Sequence, residues 1–414
     1  MRLANPAQTL APVTITDAQR NTPGTEFIET MRQWFPTESE IDMMLTKKMQ
    51  RRSGPPFLDM SLDSVTGCVR SFLREHVDGP FEITNQRWFS GGASKIQMGF
   101  DLRWQEPGVG NTTSRLVVRM EPSEGMNATS RLREFQVIRA MAGTVPVPKV
   151  HWVDDEGKWF PEPALIYGFS EGVTKPQRVK NEQIAGTGIN FGPELRKRLA
   201  PQFVGHLAAI HTFDHAQSGL GSFDEPPLDS TLSALWQLNR ARRVWEEDRG
   251  ENLPFVEVAA NWLERNLPPI DRVSVIHGDY RSGNFLFNED DGRITAILDW
   301  ERGYLGDRHR DLAWAAAYPF GHLAEDGTTF LASGMMPLEA FFESYERQSG
   351  LSVDRKRLQY FTIFNCYQLM VSTIATGYRV VRLGKSHQDI VLAWAGAAGY
   401  SFAEPLRRAL EEVL

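Results

Sequence analysis

Alternating apolar and polar positions dominate the chain from residue 81 to residue 122. The segments EITNQRWF, IQMGFDLRW and SRLVVRM are β-type runs joined by turn-rich linkers, which predicts an antiparallel meander. The compact apolar run from Ala164 to Phe169 predicts one more buried strand. Between them, the spacing of apolar positions predicts a helix from Arg131 to Met141.

Helical spacing also precedes this sheet. Ile41, Met44 and Leu45 share one face of a predicted helix, and the sequence PTESE before them has a capping-box signature. A second helix is predicted from about residue 62 to residue 77, where Gly79 and Pro80 end it. These segments therefore form an N-terminal arm and helical extension.

From about residue 171 onward the pattern is mostly helical, except around residues 273 to 299. A small sheet followed by a larger helical body predicts an α+β protein. We expect three parts: the arm and extension (1–74), a sheet-containing lobe (75–170) and a helical lobe (171–414).

Composition excludes several classes of protein. The 414 residues carry a formal net charge of -7, which argues against a nucleic-acid binder that relies on phosphate contacts. Cys68 and Cys366 lie far apart in apolar surroundings, as expected of free thiols in a reducing compartment. No run of about 18 apolar residues is present, so we expect a cytoplasmic protein that does not enter membranes.

Polar residues interrupt the core at HGDYRSGNFLF, which follows the apolar run Val273 to Ile276. A turn and a second strand then lead to Asp299, so a hairpin would bring Asp299 beside Asp279 and Asn284. Carboxylate and amide oxygens suit Mg²⁺, and Asp279 could orient a hydroxyl and accept its proton. Each residue alone is equally typical of a turn, and only their order and spacing favour a site.

The order HGDxxxxN, then LDW, then GDxxxDLAW resembles the aminoglycoside phosphotransferase and choline kinase-like family. Within it, the chain is similar to the phosphotransferase domains related to those fused to acyl-CoA dehydrogenases. The resemblance implies a bilobal protein-kinase-like fold, with a small antiparallel-sheet N-lobe and a larger mainly helical C-lobe. It implies Asp279 as the catalytic residue, Asn284 and Asp299 as ligands of Mg²⁺, and Asp311 as a structural brace.

The same resemblance assigns nucleotide-binding residues to the N-lobe. Arg119 on the strand LVVRM would grip phosphates, with Glu134 on the next helix as its ion-pair partner. The segment SGGASK would cover the phosphates, although a tight hairpin turn explains its glycines equally well. The backbone between the lobes would face the adenine edge. The residues implied for the phosphate cover and for this linker are Ser90, Gly91, Gly92, Ser94, Gly168 and Ser170.

These features predict a phosphotransferase that uses ATP and Mg²⁺ to phosphorylate a hydroxyl group of a small molecule, and GTP stays open as the donor. One alternative is an inactive kinase-like scaffold that only binds nucleotide. Another is a serine hydrolase using Ser170, because residues 168–172 fit G-x-S-x-G, but the sequence that follows lacks the helical pattern this motif requires.

Acids and bases nearly balance after residue 301, which disfavours polycationic aminoglycosides as acceptors. The apolar and aromatic helix from Tyr360 to Tyr378 favours a hydroxylated acyl or aromatic compound, although such a stripe is typical of a core. The N-terminal extension is a candidate surface for homodimerisation.

Overall fold

A five-stranded antiparallel sheet forms the centre of the first lobe. The computed structural model describes residues 15–56, 60–89, 95–121, 125, 127–177, 188–385 and 389–414. The strands have the order β1-β2-β3-β5-β4, and every neighbouring pair is antiparallel. The predicted meander is therefore confirmed. The strands are β1 (Glu82–Trp88), β2 (Ile96–Glu106), β3 (Gly110–Met120), β4 (Val150–Asp154) and β5 (Ala164–Gly168).

Helices lie before the sheet and within it in chain order: α1 (Asp17–Asn21), α2 (Thr25–Trp34), α3 (Ser39–Arg51), α4 (Leu62–His76) and α5 (Arg131–Met141). The apolar face of α4 is buried with Met98, Phe100 and Leu102 of the sheet in one hydrophobic cluster. Val137 and Ile138 of α5 belong instead to a second cluster, which continues into the helical lobe. Helix α4 thus packs on the sheet within the first lobe, and α5 connects this lobe to the helical lobe.

The second lobe is mainly helical. Its helices are α6 (Pro193–Thr212), α7 (Leu232–Asp248), α8 (Pro254–Arg265), α9 (His309–Ala315), α10 (Leu338–Ser349), α11 (Arg355–Leu383), α12 (Asp389–Gly399) and α13 (Ala403–Glu411). Its short strands are β6 (Ser274–Ile276), β7 (Phe285–Asn288), β8 (Arg293–Ile297), β9 (Tyr304–Gly306), β10 (His322–Leu323), β11 (Phe330–Ala332) and β12 (Met336–Pro337). Most of α11 is buried in a core with α7 and α8.

The N-terminal helix α3 contacts both lobes through ion pairs. Glu38, which precedes it, binds Arg133 of α5 at 2.7 Å, and Lys48 binds Asp248 of α7 at 2.9 Å. The predicted capping box is wrong, because Glu38 is the N-cap residue and makes no side-chain cap bond. Its carboxylate instead accepts hydrogen bonds from Arg133 and Gln237.

The three-part division of the chain stays a prediction, as does dimerisation through the extension. Helix α4 runs across the expected boundary at residue 74, and residues 1–14 of the arm lie outside the described part. Cys68 and Cys366 are both free thiols. Across the described ranges, no helix is long and apolar enough to cross a bilayer. The cytoplasmic location also stays a prediction.

Candidate active site

A hairpin brings the two predicted metal-binding residues together. Strands β7 and β8 pair antiparallel with Phe285 opposite Ile297. Just beyond this pair, the Leu298 amide donates to the Asn284 carbonyl at 2.8 Å. Asp299 follows with a left-handed φ of 62°, which turns the chain sharply away from the strand. The predicted return of the chain is confirmed, and Asp299 lies beside the loop that carries Asn284.

The side chain of Asn284 is oriented by its own loop. Its amide nitrogen donates to the Asp279 carbonyl at 2.8 Å. This contact assigns the amide and leaves the Asn284 oxygen directed away from that carbonyl. Among the residues described, no group of three or more His, Cys, Asp or Glu side chains forms a metal cluster. One amide oxygen and one carboxylate are therefore the oxygen donors that this hairpin offers.

Asp311, at the start of α9, holds the loop that carries Asp279 through hydrogen bonds to its backbone. Its carboxylate accepts from the His277 amide at 2.7 Å and from the Gly278 amide at 2.8 Å, and it lies 3.3 Å from His211. Burial would raise the pKa of Asp311, but the hydrogen bond and charge of His211 lower it. The carboxylate thus satisfies two buried backbone donors in the turn before Asp279.

His277 connects the two halves of the site. The Asp279 amide donates to its Nδ1 at 3.2 Å, so Nε2 carries the proton and donates to the Leu298 carbonyl at 2.9 Å. Burial lowers the pKa of His277, which keeps the ring neutral in this arrangement. One imidazole therefore fixes the spacing between the Asp279 loop and the residue before Asp299.

Arg119 of β3 reaches the hairpin from the sheet. Its Nε lies 3.6 Å from a Glu134 oxygen, and its Nη2 lies 2.7 Å from Asp299 and 2.8 Å from Glu301. Burial would lower the pKa of Arg119, but these three carboxylates raise it well above its ordinary value. The predicted partner Glu134 is in contact, although it also pairs with Arg131 one turn away on α5.

Glu301 was missed in the sequence and is the centre of a buried ion cluster. Its carboxylate lies 3.0 Å from Lys95 and 3.6 Å from Arg131, in addition to the contact with Arg119. Burial would raise its pKa, but Lys95, Arg119 and Arg131 hold it far below its usual range. Its position two residues after Asp299 was the available signal, since a second acid so close to a predicted metal ligand needs a partner of opposite charge when it is buried.

A cleft of about 830 Å³ opens between the sheet and the hairpin. Ser170 lines this cleft, together with Tyr167 and Phe169 from the segment between the lobes and Leu298 beside Asp299. The Gly168 amide donates to the Lys149 carbonyl at 2.7 Å. The predicted phosphate-covering residues Ser90, Gly91, Gly92 and Ser94 lie outside the described residues.

Two phenylalanines form one wall of the cleft and were also missed. The rings of Phe89 and Phe169 are stacked with centroids 5.8 Å apart. The Arg115 guanidinium carbon lies over the Phe169 ring, 4.2 Å from its centroid. A flat aromatic wall beside the backbone between the lobes suits a planar ligand such as a nucleobase.

The sequence of residues 108–358 matches the family described as the phosphotransferase enzyme family, and this match covers more than half of the chain. The chain belongs to this family. Relatives include acyl-CoA dehydrogenase family member 10 of Mus musculus, 25% identical over 301 residues that are 70% of this chain. Acyl-CoA dehydrogenase family member 11 of Homo sapiens is 27% identical over 232 residues, or 50% of this chain. The chain spans only 26% and 28% of the length of these relatives.

Solved structures show that this phosphotransferase family member has the fold of its relatives. A protein of Ralstonia eutropha JMP134, described provisionally as an aminoglycoside phosphotransferase, is 23% identical with a TM-score of 0.60 over 84% of this chain and 98% of its own. Macrolide 2'-phosphotransferase type I is 15% identical with a TM-score of 0.50 over 82% and 98%. The predicted bilobal protein-kinase-like fold is confirmed.

The serine hydrolase alternative does not fit this phosphotransferase. In the G-x-S-x-G motif of hydrolases, the serine lies on a sharp turn that opens a helix. Ser170 is followed by an irregular segment, and Val173 forms a bridge with Phe287 of β7. Ser170 therefore belongs to the segment between the lobes, not to a nucleophile elbow.

Proposed function

We propose that this phosphotransferase transfers the γ-phosphoryl group of ATP, in the presence of Mg²⁺, to a hydroxyl group of a small molecule. The observation that supports this most directly is the convergence of Asp279, Asn284 and Asp299 at the open end of one hairpin. A cleft of suitable size for a nucleotide lies beside this hairpin, and Leu298, the residue before Asp299, lines it. Phosphoryl transfer depends mainly on positioning and charge neutralisation, which such an arrangement supplies.

Asp279 is proposed to orient the acceptor hydroxyl and to accept its proton. Asn284 and Asp299 would hold Mg²⁺, and their chemistry fits, because Mg²⁺ binds a few protein oxygens together with water and substrate phosphates. The Asp299 side chain is 41% exposed and so is accessible to a cation from the cleft. When bound, Mg²⁺ would neutralise charge on the transferring phosphates.

Arg119 is proposed to bind the phosphates while Glu134 and Glu301 hold its guanidinium. The segment from Ser90 to Ser94 would cover the phosphates with backbone N–H groups. The Gly168 carbonyl and the Ser170 amide would bind the adenine edge. Arginine suits this position because its fork can bind a carboxylate and a phosphate at the same time.

The acceptor is proposed to be a hydroxylated acyl or aromatic compound. Two observations support this class. Acids and bases nearly balance after residue 301, so this part of the C-lobe has no acidic excess that would attract polycations, and the relatives named above carry an acyl-CoA dehydrogenase name. The shared segment is only a fraction of those proteins, so their names suggest compounds to test and nothing more.

The test is ADP release by the purified chain with ATP and Mg²⁺ against a panel of alcohols, including hydroxyacyl thioesters, hydroxylated aromatics and an aminoglycoside. We expect at least one hydroxyacyl or aromatic compound to stimulate ADP release, with loss of the stimulation in Asp279→Asn. Nucleotide binding, seen as a raised melting temperature, without ADP release for any compound would support the inactive scaffold instead.

A further inference from the structure

Trp314 of α9 makes a direct contact with the proposed catalytic carboxylate. Its indole Nε1 donates to Asp279 Oδ1 at 2.6 Å, a short hydrogen bond of the kind that an ionised acceptor forms. The Trp314 side chain is buried, with 2% of its surface exposed. A buried indole N–H needs an acceptor, and here the acceptor is the group on which the reaction depends.

The two oxygens of Asp279 are held unequally. Oδ1 accepts from Trp314 and also from Arg281 Nε at 3.0 Å. Within the described structure, no hydrogen bond reaches Oδ2, and the side chain keeps 18% of its surface exposed. Two donors on one oxygen fix the rotation of the carboxylate about its Cβ–Cγ bond. The other oxygen is therefore the one presented to an acceptor hydroxyl.

Trp314 is itself held by Arg310, one turn earlier on α9. The Arg310 guanidinium carbon lies 4.7 Å from the centroid of the indole ring, and a cation over the ring face makes the N–H group a stronger donor. Arg310 donates to Gln368 of α11 at 2.5 Å and also contacts Asn365. Phe320 packs on the indole with ring centroids 5.0 Å apart.

These contacts form a continuous path from the buried helix α11, through Arg310 and the indole, to the carboxylate. We propose that Trp314 is a positioning residue that sets the orientation of Asp279 for phosphoryl transfer, an inference that rests on the function proposed above. Trp314 acts through Asp279 and does not contact the reacting atoms. Arg310 supports this role by holding the indole in place.

The first test compares Trp314→Phe with Trp245→Phe. Both replace a buried tryptophan, but within the described part of the chain the Trp245 Nε1 has no hydrogen-bond partner. With ATP, Mg²⁺ and water as the acceptor, we expect Trp314→Phe to lower kcat for ADP release about 10-fold, the effect of losing a hydrogen bond to a charged group. KM for ATP stays the same, and Trp245→Phe changes neither value.

The second test does not depend on activity, and it probes the contact from the Asp279 side. In protein carrying ¹⁵N-labelled tryptophan, the indole resonance of Trp314 is identified by its absence in Trp314→Phe. We expect this resonance to move upfield in the proton dimension in Asp279→Ala, because the strong acceptor is gone. The Trp245 resonance stays in place.

The outcomes separate this inference from the proposed function. An active wild-type chain in which Trp314→Phe matches Trp245→Phe in kcat would overturn the positioning role and leave the proposed function intact. An unchanged Trp314 resonance in Asp279→Ala would overturn the contact itself. Absence of ADP release from the wild-type chain with every acceptor would overturn the proposed function, and the positioning role would fall with it.

Discussion

Asp279 and Asp299 lie at the open end of the same hairpin, yet they are held by different kinds of contact. The Asp279 loop is held from within its own lobe: Asp311 accepts two backbone N–H groups, and a neutral imidazole and an indole complete the support. The described side-chain partner of Asp299 is Arg119, which comes from the sheet of the other lobe at 2.7 Å.

This difference divides the site into two parts: the orientation of Asp279 is fixed in advance, whereas the Arg119 contact of Asp299 can be replaced by a contact with a ligand. Hydrogen bonds inside one lobe do not depend on how far the two lobes are apart, so the orientation of Asp279 is set before any ligand binds. The Arg119 contact crosses between lobes, and under the proposed function phosphates would compete with Asp299 for the same guanidinium. Substitutions near Asp279 should therefore affect turnover, and substitutions near Asp299 should affect nucleotide binding.

The largest effect is expected for Asp279→Asn. The amide cannot accept a proton from the acceptor hydroxyl, so kcat should fall by about 100- to 10,000-fold, the usual contribution of such a base. ADP release with saturating ATP and the best acceptor measures this loss. Asp291→Asn in the exposed turn of the hairpin is the matched control. A kcat within about threefold of the wild type would remove Asp279 from this role.

Asp311→Ala should destabilise the chain by about 3 kcal/mol, because it leaves buried backbone donors and His211 without their acceptor. Urea unfolding at pH 7 measures the free energy of unfolding. Asp155→Ala is a suitable control, since Asp155 is exposed. A loss below about 1 kcal/mol would mean that other groups or water satisfy the His277 and Gly278 amides.

The sequence was sufficient for features that are local or that follow chain order. Alternation of apolar positions predicted the meander, and the turn between β7 and β8 predicted that Asp299 would return beside Asn284. Arg119 and Glu134 followed from the resemblance, and they are in contact at 3.6 Å. The meander and the hairpin could be predicted because each depends on periodicity or on one short connection, whereas the pair of Arg119 and Glu134 depended on the resemblance.

Contacts that join distant segments could not be predicted in this way. Lys95 and Glu301 are more than 200 residues apart and meet only because the hairpin packs under the sheet. The capping box was wrong for the same reason, since the carboxylate of the N-cap residue Glu38 binds Arg133, 95 residues away in the sequence. Trp314 in the string DLAW reads as an ordinary core residue until the Asp279 contact is seen.

Arg119→Lys should raise KM for ATP about 10-fold with a smaller change in kcat. A single ammonium group cannot bind Glu134 and Asp299 and also reach a phosphate, as the arginine fork can. Steady-state ADP release at varied ATP measures both values. Arg103→Lys, an exposed position on β2, should leave them unchanged. A fall in kcat with an unchanged KM would contradict the expectation that substitutions near Asp299 affect nucleotide binding and those near Asp279 affect turnover.

The smallest effect on the free energy of unfolding is expected at Asp271, a partly exposed residue that pairs with the N-cap residue of α9. Its carboxylate pairs with Arg308, the N-cap residue of α9, at 2.7 Å and with Arg357 at 2.5 Å. Burial would raise the pKa of Asp271, but the two arginines lower it from 3.8 to about 2. Because the side chain is 42% exposed, solvent screening limits the contribution to less than about 1 kcal/mol.

The sign of its pH dependence follows from the lowered pKa. The contribution is fully present above the unfolded-state pKa near 4 and is lost as the pH falls towards about 2. The difference in free energy of unfolding between the wild type and Asp271→Asn should therefore shrink as the pH is lowered from 5 into this window, and also in about 0.5 M salt. A difference that stays constant with pH and salt would mean that the charge of Asp271 does not contribute to the support of α9.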